Sequence, residues 1–374
     1  MMNKRNILIL DPVGVKAGMD YYNNNLADAL RKSVDVKVFI ASNYTEGPDG
    51  IKCFDPGSGS KLSKLLGLLT GTLKALNFAK KNQVGYVIIH CFSFELKDLL
   101  LVRLVKQFRF KLYSIAHDIS GFALNDSQKI RHVILDKLSD KIVVQNLFSL
   151  SKIKEFLDPA SSAKLALIPH GHFMNLPDRS INYDQARQLL GIEAGQKIVL
   201  FFGQIKKVKG LDVLIKALAH CPEDIKLCIA GKPWKDDFKK YQDLITALQL
   251  EERIIKKIKY ITDEERELLF KAADLIIIPY REIFQSGVLL MAMSYNKLVV
   301  ASDLPANREI VGNDENGILF KNEDELDLGR KIELIFRAIA QDPGKIESIL
   351  KSAREKLNTD HSWELIASRY KEIL

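Results

Sequence analysis

The 374-residue chain predicts two doubly wound α/β domains facing each other across a cleft. Three observations carry that expectation. The length suits two domains of ordinary size better than a single core. Short apolar runs alternate with amphipathic stretches from end to end, the pattern of strand, crossover helix and parallel strand. The alternation breaks near Ile168 to Leu176, where Pro169 and Gly171, with Pro177 just beyond, interrupt both periods.

Taken in order, the strand candidates of the first half are Asn6–Leu10, Asp35–Ile40, Tyr86–His90, Lys111–Ala116 and Lys141–Gln145. Helices are expected between them, for example over Asp20–Lys32. The second half repeats the scheme, with strands at Lys197–Phe202, Lys226–Ala230, Arg253–Lys257, Leu275–Pro279 and Leu298–Ala301. Its helices are expected at Leu211–Ala219, Asp236–Leu248, Asp263–Ala272 and Gly287–Ser294. Open parallel sheets bind ligands beyond the carboxyl ends of their strands, so functional loops are sought there.

Composition narrows the class. Hydrophobic residues at 47% and charged residues at 27% describe a folded globular chain, not a disordered one. No run of 18 apolar residues occurs, and Arg103 breaks the Leu99 to Val105 stretch, so no membrane-spanning helix is expected. The segment from Asn6 to Leu10 reads as a first buried strand and not as a signal-peptide core. Cys53, Cys91, Cys221 and Cys228 form no CxxC pair and have no histidine at zinc spacing, which suits thiols in a reducing cytoplasm. The net charge of +8 is one-sided. Residues 1–170 hold 24 Lys/Arg against 15 Asp/Glu, and the remainder holds 31 against 32. A basic half implies a polyanion; with no nucleic-acid-binding signature, an anionic membrane surface is the expected partner.

Two segments carry most of the chemistry. The first runs from Phe201 to Ile215, where a strand ends at Gly203, a basic loop follows and Gly210 leads into a helix. Lys206 and Lys209 there supply the point charges that a diphosphate needs when no metal neutralises it; the same residues also make an ordinary solvated basic turn. The second runs from Leu275 to Met293. Its loop carries Glu282, and Ser286 is a good N-cap for an apolar helix beginning at Gly287 and Val288. The first N–H groups of that helix, with its dipole, suit an anion. In the first half, Gly14 and Gly18 flank a loop that ends in Asp20 at a helix start. With no third glycine they make a weak dinucleotide fingerprint. His117 ends a strand and precedes Asp118, while His90 ends another. The stretch from Lys61 to Lys81 interleaves leucines with lysines, giving either a core-packed helix with a basic face or a membrane-surface element. No nucleophilic triad and no acidic cluster for Mg²⁺ stands out.

The series Ile168-Pro-His-Gly171, Gly203 to Gly210, Ile229-Ala-Gly231, Ala273-Asp274, Ser286-Gly287 with Ala292-Met293, Val299 to Ser302 and Glu309-Ile-Val followed by Gly317 resembles glycosyltransferase family 4. The likeness covers the whole C-terminal half and continues more weakly through Gly14 to Tyr22, Ala116-His117-Asp118 and Asp140 to Gln145. It implies a GT-B fold, two Rossmann-like domains, and transfer of a sugar from a nucleotide diphosphate to an acceptor hydroxyl. The implied domains are 1–170, binding acceptor, and 171–359, binding donor. A final helix at 360–374, bearing Trp363, would return to the first domain.

The resemblance also assigns roles. Lys206, Lys209, Gly203, Ser286, Gly287 and Val288 would hold the diphosphate, and Tyr260 and Ile261 would meet the base. Glu309 would support the site, and the Gly14, Gly18 and Asp20 loop would face donor sugar and acceptor. His117 would either bond a sugar hydroxyl or be satisfied by its own loop; His170 reads as structural. One departure stands out: Met291 lies where the family carries its second glutamate, and the first falls on Ile283, one residue from Glu282. Methionine cannot accept hydrogen bonds from ribose hydroxyls as a carboxylate does.

The expected activity is therefore transfer of a hexose-type sugar from a UDP- or GDP-sugar, without metal or other cofactor, to a glycolipid or polysaccharide acceptor. Retention of configuration is implied; under inversion Asp118 or Asp20 becomes the base. The expected location is the cytoplasm, with the inner face of a membrane as the surface the basic half would meet. A nucleotide-sugar- or lipid-binding partner of another transferase, itself silent, is the competing reading, and Met291 is its best support.

Overall fold

The computed structural model describes residues 6–45, 49–55, 60–119, 127–178 and 180–374, and only the backbone of Lys16, Ala17 and Lys61. The chain divides into two compact units. Unit 1 spans Met1–Gly171 and His361–Leu374, and unit 2 spans His172–Asp360.

Unit 1 is built on seven parallel strands: β1 (Asn6–Leu10), β2 (Val38–Ser42), β3 (Gly50–Lys52), β4 (Val84–Cys91), β5 (Lys111–Ala116), β6 (Lys141–Val144) and β7 (Leu165–Leu167). Their order across the sheet is β3-β2-β1-β4-β5-β6-β7. The helices between them are α1 (Met19–Ser33), α2 (Lys61–Lys81), α3 (Leu96–Gln107), α4 (Gln128–His132) and α5 (Leu147–Lys154). Elements on both faces cover the central strands, so β1 reads as a continuous apolar run; Ile7, Leu8, Ile9 and Leu10 are all fully buried.

Unit 2 repeats the plan with β8 (Lys197–Phe202), β9 (Ile225–Ala230), β10 (Ile254–Lys257), β11 (Leu275–Ile278), β12 (Leu298–Ser302) and β13 (Ile318–Phe320). The order is β10-β9-β8-β11-β12-β13, again all parallel. Its helices are α6 (Tyr183–Leu190), α7 (Leu211–Ala219), α8 (Lys239–Ala247), α9 (Asp263–Ala272), α10 (Gly287–Ser294), α11 (Pro305–Val311), α12 (Glu325–Gln341) and α13 (Pro343–Asp360). The last helix, α14 (Trp363–Ile373), belongs to unit 1 and packs on α1. Trp363 meets the Tyr22 ring edge-on at 5.2 Å.

Each sheet winds outward in both directions from a central pair of strands. In unit 1 the order reverses between β1 and β4, and in unit 2 between β8 and β11. Chains leaving such a pair at its carboxyl ends run to opposite faces, which opens a crevice there. The loops after β1, β4, β8 and β11 are thus the ones placed for binding.

The expected elements differ from the observed ones mainly at their ends. β2 starts at Val38 and not at Asp35, because its ladder begins at Ile7↔Val38 and the Lys37 N–H is bonded to Asn6 Oδ1 at 2.9 Å. α8 starts at Lys239 and not at Asp236, since Asp237 Oδ1 accepts the Lys239 N–H at 2.9 Å and turns the chain first. The three-residue edge strands β3, β7 and β13 were not expected; each is too short to show a period.

Helix α2 combines both readings of its sequence. It buries Ala75, Leu76 and Ala79, yet Leu62, Leu66 and Leu73 are 67%, 54% and 39% exposed. Among the described residues, no helix is long and apolar enough to cross a membrane.

Candidate active site

In unit 2 the two loops at the switch point interlock. The chain leaves β8 at Gly203, whose φ is +117°, and Ile205 anchors the loop through its N–H to Lys232 O at 3.0 Å. A short 3₁₀ turn, Lys207–Lys209, then leads through Gly210 into α7. Gly210 has φ +64°, and a Cβ there would lie 1.8 Å from Pro279 O, just beyond β11. Only glycine fits. Across the same junction the Arg281 N–H donates to Val208 O at 2.8 Å, and the Lys209 ammonium stands 3.6 Å from the centre of the Tyr280 ring.

Arg281 ties the two loops together from below. Its guanidinium grips Asp212 with bonds of 2.8 and 2.7 Å, reaches Glu323 at 2.5 Å and donates to Lys207 O at 2.8 Å. Burial opposes the ionised form of Asp212, but hydrogen bonding to Arg281 and its charge outweigh it and hold the carboxyl below its ordinary range. The basic loop is thus held from both its ends. Neither Arg281 nor Asp212 was singled out in the sequence; their pairing spans 69 residues and leaves no local pattern.

The Ser286 hydroxyl, on a residue 4% exposed, caps α10 by accepting the Leu289 N–H at 3.2 Å. The N–H groups of the first turn have no acceptor within their own helix. At Gly287 an added Cβ would meet only the Phe173 ring, at an ordinary 3.8 Å, so the protein's own atoms do not demand glycine there. Val288 stands beside Gly203, 3.7 Å from where its Cβ would be. Gly203 and Val288 are therefore neighbours, the Lys209 ammonium lies over Tyr280 in the loop that leads to Ser286 and Gly287, and the Lys206 ammonium stands 6.0 Å from the Trp234 ring.

The remaining candidates of unit 2 lie along the same edge of the sheet. Tyr260, 59% exposed, and the half-buried Ile261 follow β10. Trp234, 52% exposed, follows β9 and went unnoticed in the sequence, although so exposed a tryptophan at a strand end is a signal. Glu282 is exposed, Met291 is half-buried on α10, and the half-buried Glu309 lies on α11 after β12.

Unit 1 brings together residues that the sequence held apart. Asp11, 1% exposed, directly follows β1. Its Oδ1 accepts the N–H groups of Val13 and Gly14, both at 2.9 Å, and so shapes the loop that ends at Gly18 and Asp20 on α1. Its Oδ2 accepts from Asn23 Nδ2 at 2.7 Å. Asn23 Oδ1 lies 2.8 Å from His90 Nε2, and His90 Nδ1 lies 2.8 Å from His117 Nε2. Phe92 stacks on His117 at 4.3 Å and 11°. Burial, then the neighbouring His170, pushes His90 down to about 3. Burial, with His90 and His170 next in weight, holds His117 well below its ordinary value. Both rings are neutral at physiological pH. His170 bonds Gly171 O at 2.7 Å through Nδ1 and is itself depressed to about 4 by burial. Asp118 is half-buried just past β5.

Among the described residues one set, His132, Asp136 and Asp158, has ligand-type atoms within 4.8 Å of one another. Lys137 already lies 2.9 Å from Asp158, and none of the three belongs to the strand-end loops above.

Residues 182–343 match the family model described as "Glycosyl transferases group 1", a segment that includes every unit 2 residue discussed above except Phe173. The chain has the GT-B fold, and its second unit carries a segment that matches the glycosyl transferases of group 1. An uncharacterized glycosyltransferase of Methanocaldococcus jannaschii is 28% identical over 194 residues; the match spans 51% of this chain and 47%, about half, of that relative. A D-inositol 3-phosphate glycosyltransferase of Corynebacterium aurimucosum is 24% identical over 96% of this chain and 91% of its own. Among solved structures, Anabaena HepE in complex with UDP-glucose aligns with a TM-score of 0.77 at 21% identity, covering 99% of both chains. That likeness extends the GT-B fold through unit 1, beyond the residues of the family match.

Proposed function

We propose that this chain is a glycosyltransferase that moves a hexose-type sugar from a UDP- or GDP-sugar to an acceptor hydroxyl, with retention of configuration and without a metal. The observation that carries the proposal is the Lys209 ammonium over Tyr280, in the loop that leads to the amino end of α10 at the β8–β11 switch point, where Gly210 and Arg281 hold the two loops together. As the bond from the anomeric carbon to the diphosphate breaks, negative charge grows on the leaving oxygens. The ammonium groups of Lys206 and Lys209 and the N–H groups of Gly287 and Val288 stabilise that charge, the largest electrostatic demand of the step. The departing diphosphate oxygen takes the acceptor's proton, so no separate base is required. The UDP-glucose bound to HepE and the inositol phosphate named for the corynebacterial relative support a sugar nucleotide and a hydroxylated acceptor.

Tyr260 and Ile261 receive the base, and Glu309 supports the donor site. Unit 1 is assigned the hydroxyl-bearing groups, read by His117, Asp118 and the loop of Gly14, Gly18 and Asp20. Its basic surplus and the exposed leucines of α2, beside Lys64, Lys74, Lys80 and Lys81, favour a glycolipid or surface-polysaccharide acceptor at the cytoplasmic face of a membrane.

The test is release of UDP or GDP from a panel of sugar nucleotides by the purified protein, with and without EDTA. Turnover that survives chelation is expected. Turnover lost with EDTA and restored by Mg²⁺ would overturn metal independence. A second reading, a silent binding partner, is favoured by Met291 at the usual glutamate position; it requires every donor in the panel to stay intact.

A further inference from the structure

We infer that Asp11, acting through Asn23 and His90, fixes which ring nitrogen of His117 carries the proton and so makes His117 a hydrogen-bond acceptor toward its ligand. An ionised carboxylate accepts and never donates. With Oδ1 occupied by Val13 and Gly14, Asp11 turns Oδ2 to Asn23, which must present its NH₂ at 2.7 Å. The Asn23 carbonyl oxygen is then left for His90 Nε2 at 2.8 Å, and that oxygen can only accept. The proton of His90 therefore sits on Nε2. A neutral imidazole has one proton, so His90 Nδ1 is bare, and only a protonated His117 Nε2 completes the 2.8 Å contact. His117 Nδ1 keeps its lone pair.

Burial supports the chain of deduction by holding both rings neutral. A ligand group that reads His117 Nδ1 must bring a hydrogen. A hydroxyl does so; a carboxylate or phosphate oxygen does not. On the transferase reading, on which this consequence rests, unit 1 selects a neutral hexose over a uronic acid. Asp11, Asn23 and His90 are positioning residues.

The substitution Asp11→Asn is isosteric and reverses the logic. Its carbonyl oxygen still accepts from Val13 and Gly14, but its NH₂ now donates to Asn23, whose amide must flip. His90 and His117 then both carry their protons on Nδ1. The full-length protein, labelled with ¹⁵N in its histidine rings and free of ligand, would be read by long-range ¹H–¹⁵N correlation, with His117→Gln for assignment. The expected wild-type spectrum shows His117 protonated on Nε2, with coupling across the hydrogen bond to His90 Nδ1; D11N shows Nδ1. Wild-type His117 protonated on Nδ1 overturns the proposal, as does a folded D11N with unchanged tautomers. Should D11N fail to fold, the wild-type spectrum decides alone.

The recognition step has its own readout. For a UDP- or GDP-hexose, kcat/KM is expected to fall about tenfold to a hundredfold in D11N, the cost of one mismatched hydrogen bond, with affinity for free UDP unchanged. An unchanged kcat/KM overturns the specificity role. Switched tautomers in a protein that transfers no sugar would refute the transferase reading and leave the relay standing.

Discussion

The carbonyl oxygen of Pro279 occupies the space where a side chain on Gly210 would begin, 1.8 Å from an ideal Cβ. Two loops 69 residues apart in sequence are thereby held in contact at the switch point of unit 2. Gly210→Ala must open that contact and also hold alanine at φ +64°. A loss of about 2 kcal/mol or more is expected, the sum of the left-handed backbone cost and the clash. Chemical denaturation would measure it. Wild-type stability together with wild-type donor affinity would show that the loops need not touch.

Lys209→Ala removes an ammonium that lies over Tyr280 and is expected to keep the fold. Turnover should drop roughly a hundredfold to a thousandfold, the range for losing one electrostatic contact to a leaving group. Steady-state kinetics with an unchanged circular dichroism spectrum would make the case. A loss under threefold would remove Lys209 from the diphosphate.

Arg281→Lys keeps the charge but not the fork. The paired bonds to Asp212 at 2.8 and 2.7 Å cannot be copied by a single ammonium, nor can the simultaneous reach to Glu323 and Lys207 O. The expected cost is about 1–2 kcal/mol of stability, together with weaker nucleotide binding as the basic loop loosens. Calorimetry on both proteins, with and without UDP, separates the two effects. Equal UDP affinity in the two would confine Arg281 to stability.

The buried histidines make stability depend on pH. In the unfolded chain a histidine takes up a proton near pH 6.5, whereas folded His90 does so only near 3 and His170 near 4. Between those limits the unfolded state binds more protons, so stability is full above pH 6.5 and falls as the pH drops toward 4. Each such histidine contributes a slope of about 1.4 kcal/mol per pH unit. Asp11, raised by burial, works in the opposite direction over the carboxylate range. His90→Gln should flatten the slope measured by denaturant titration between pH 6.5 and 4.5. An unaltered slope would mean that His90 is protonated in the native state.

Much of the scaffold was legible in the sequence. The strand Lys197–Phe202 and the helices Leu211–Ala219, Asp263–Ala272 and Gly287–Ser294 have the bounds their apolar periods imply, because central strands and packed helices impose those periods directly. Ser286 as an N-cap was legible for the same local reason. β3, β7 and β13 were not, since three residues on a sheet edge need only pair and not alternate. Arg281, Asp212 and Trp234 were passed over, because an ion pair or an exposed ring at a strand end has meaning only once its neighbours in space are known.

By itself the sequence determined the class of the protein: two wound sheets, and a basic, glycine-bounded loop followed by a capped helix, each written within a dozen or so adjacent residues. The tertiary structure alone decided which of those pieces meet. Gly210 reached Pro279, and Asp11, Asn23, His90 and His117 fell into one line, because parallel strands bring their carboxyl ends to a common edge whatever the distance between them along the chain.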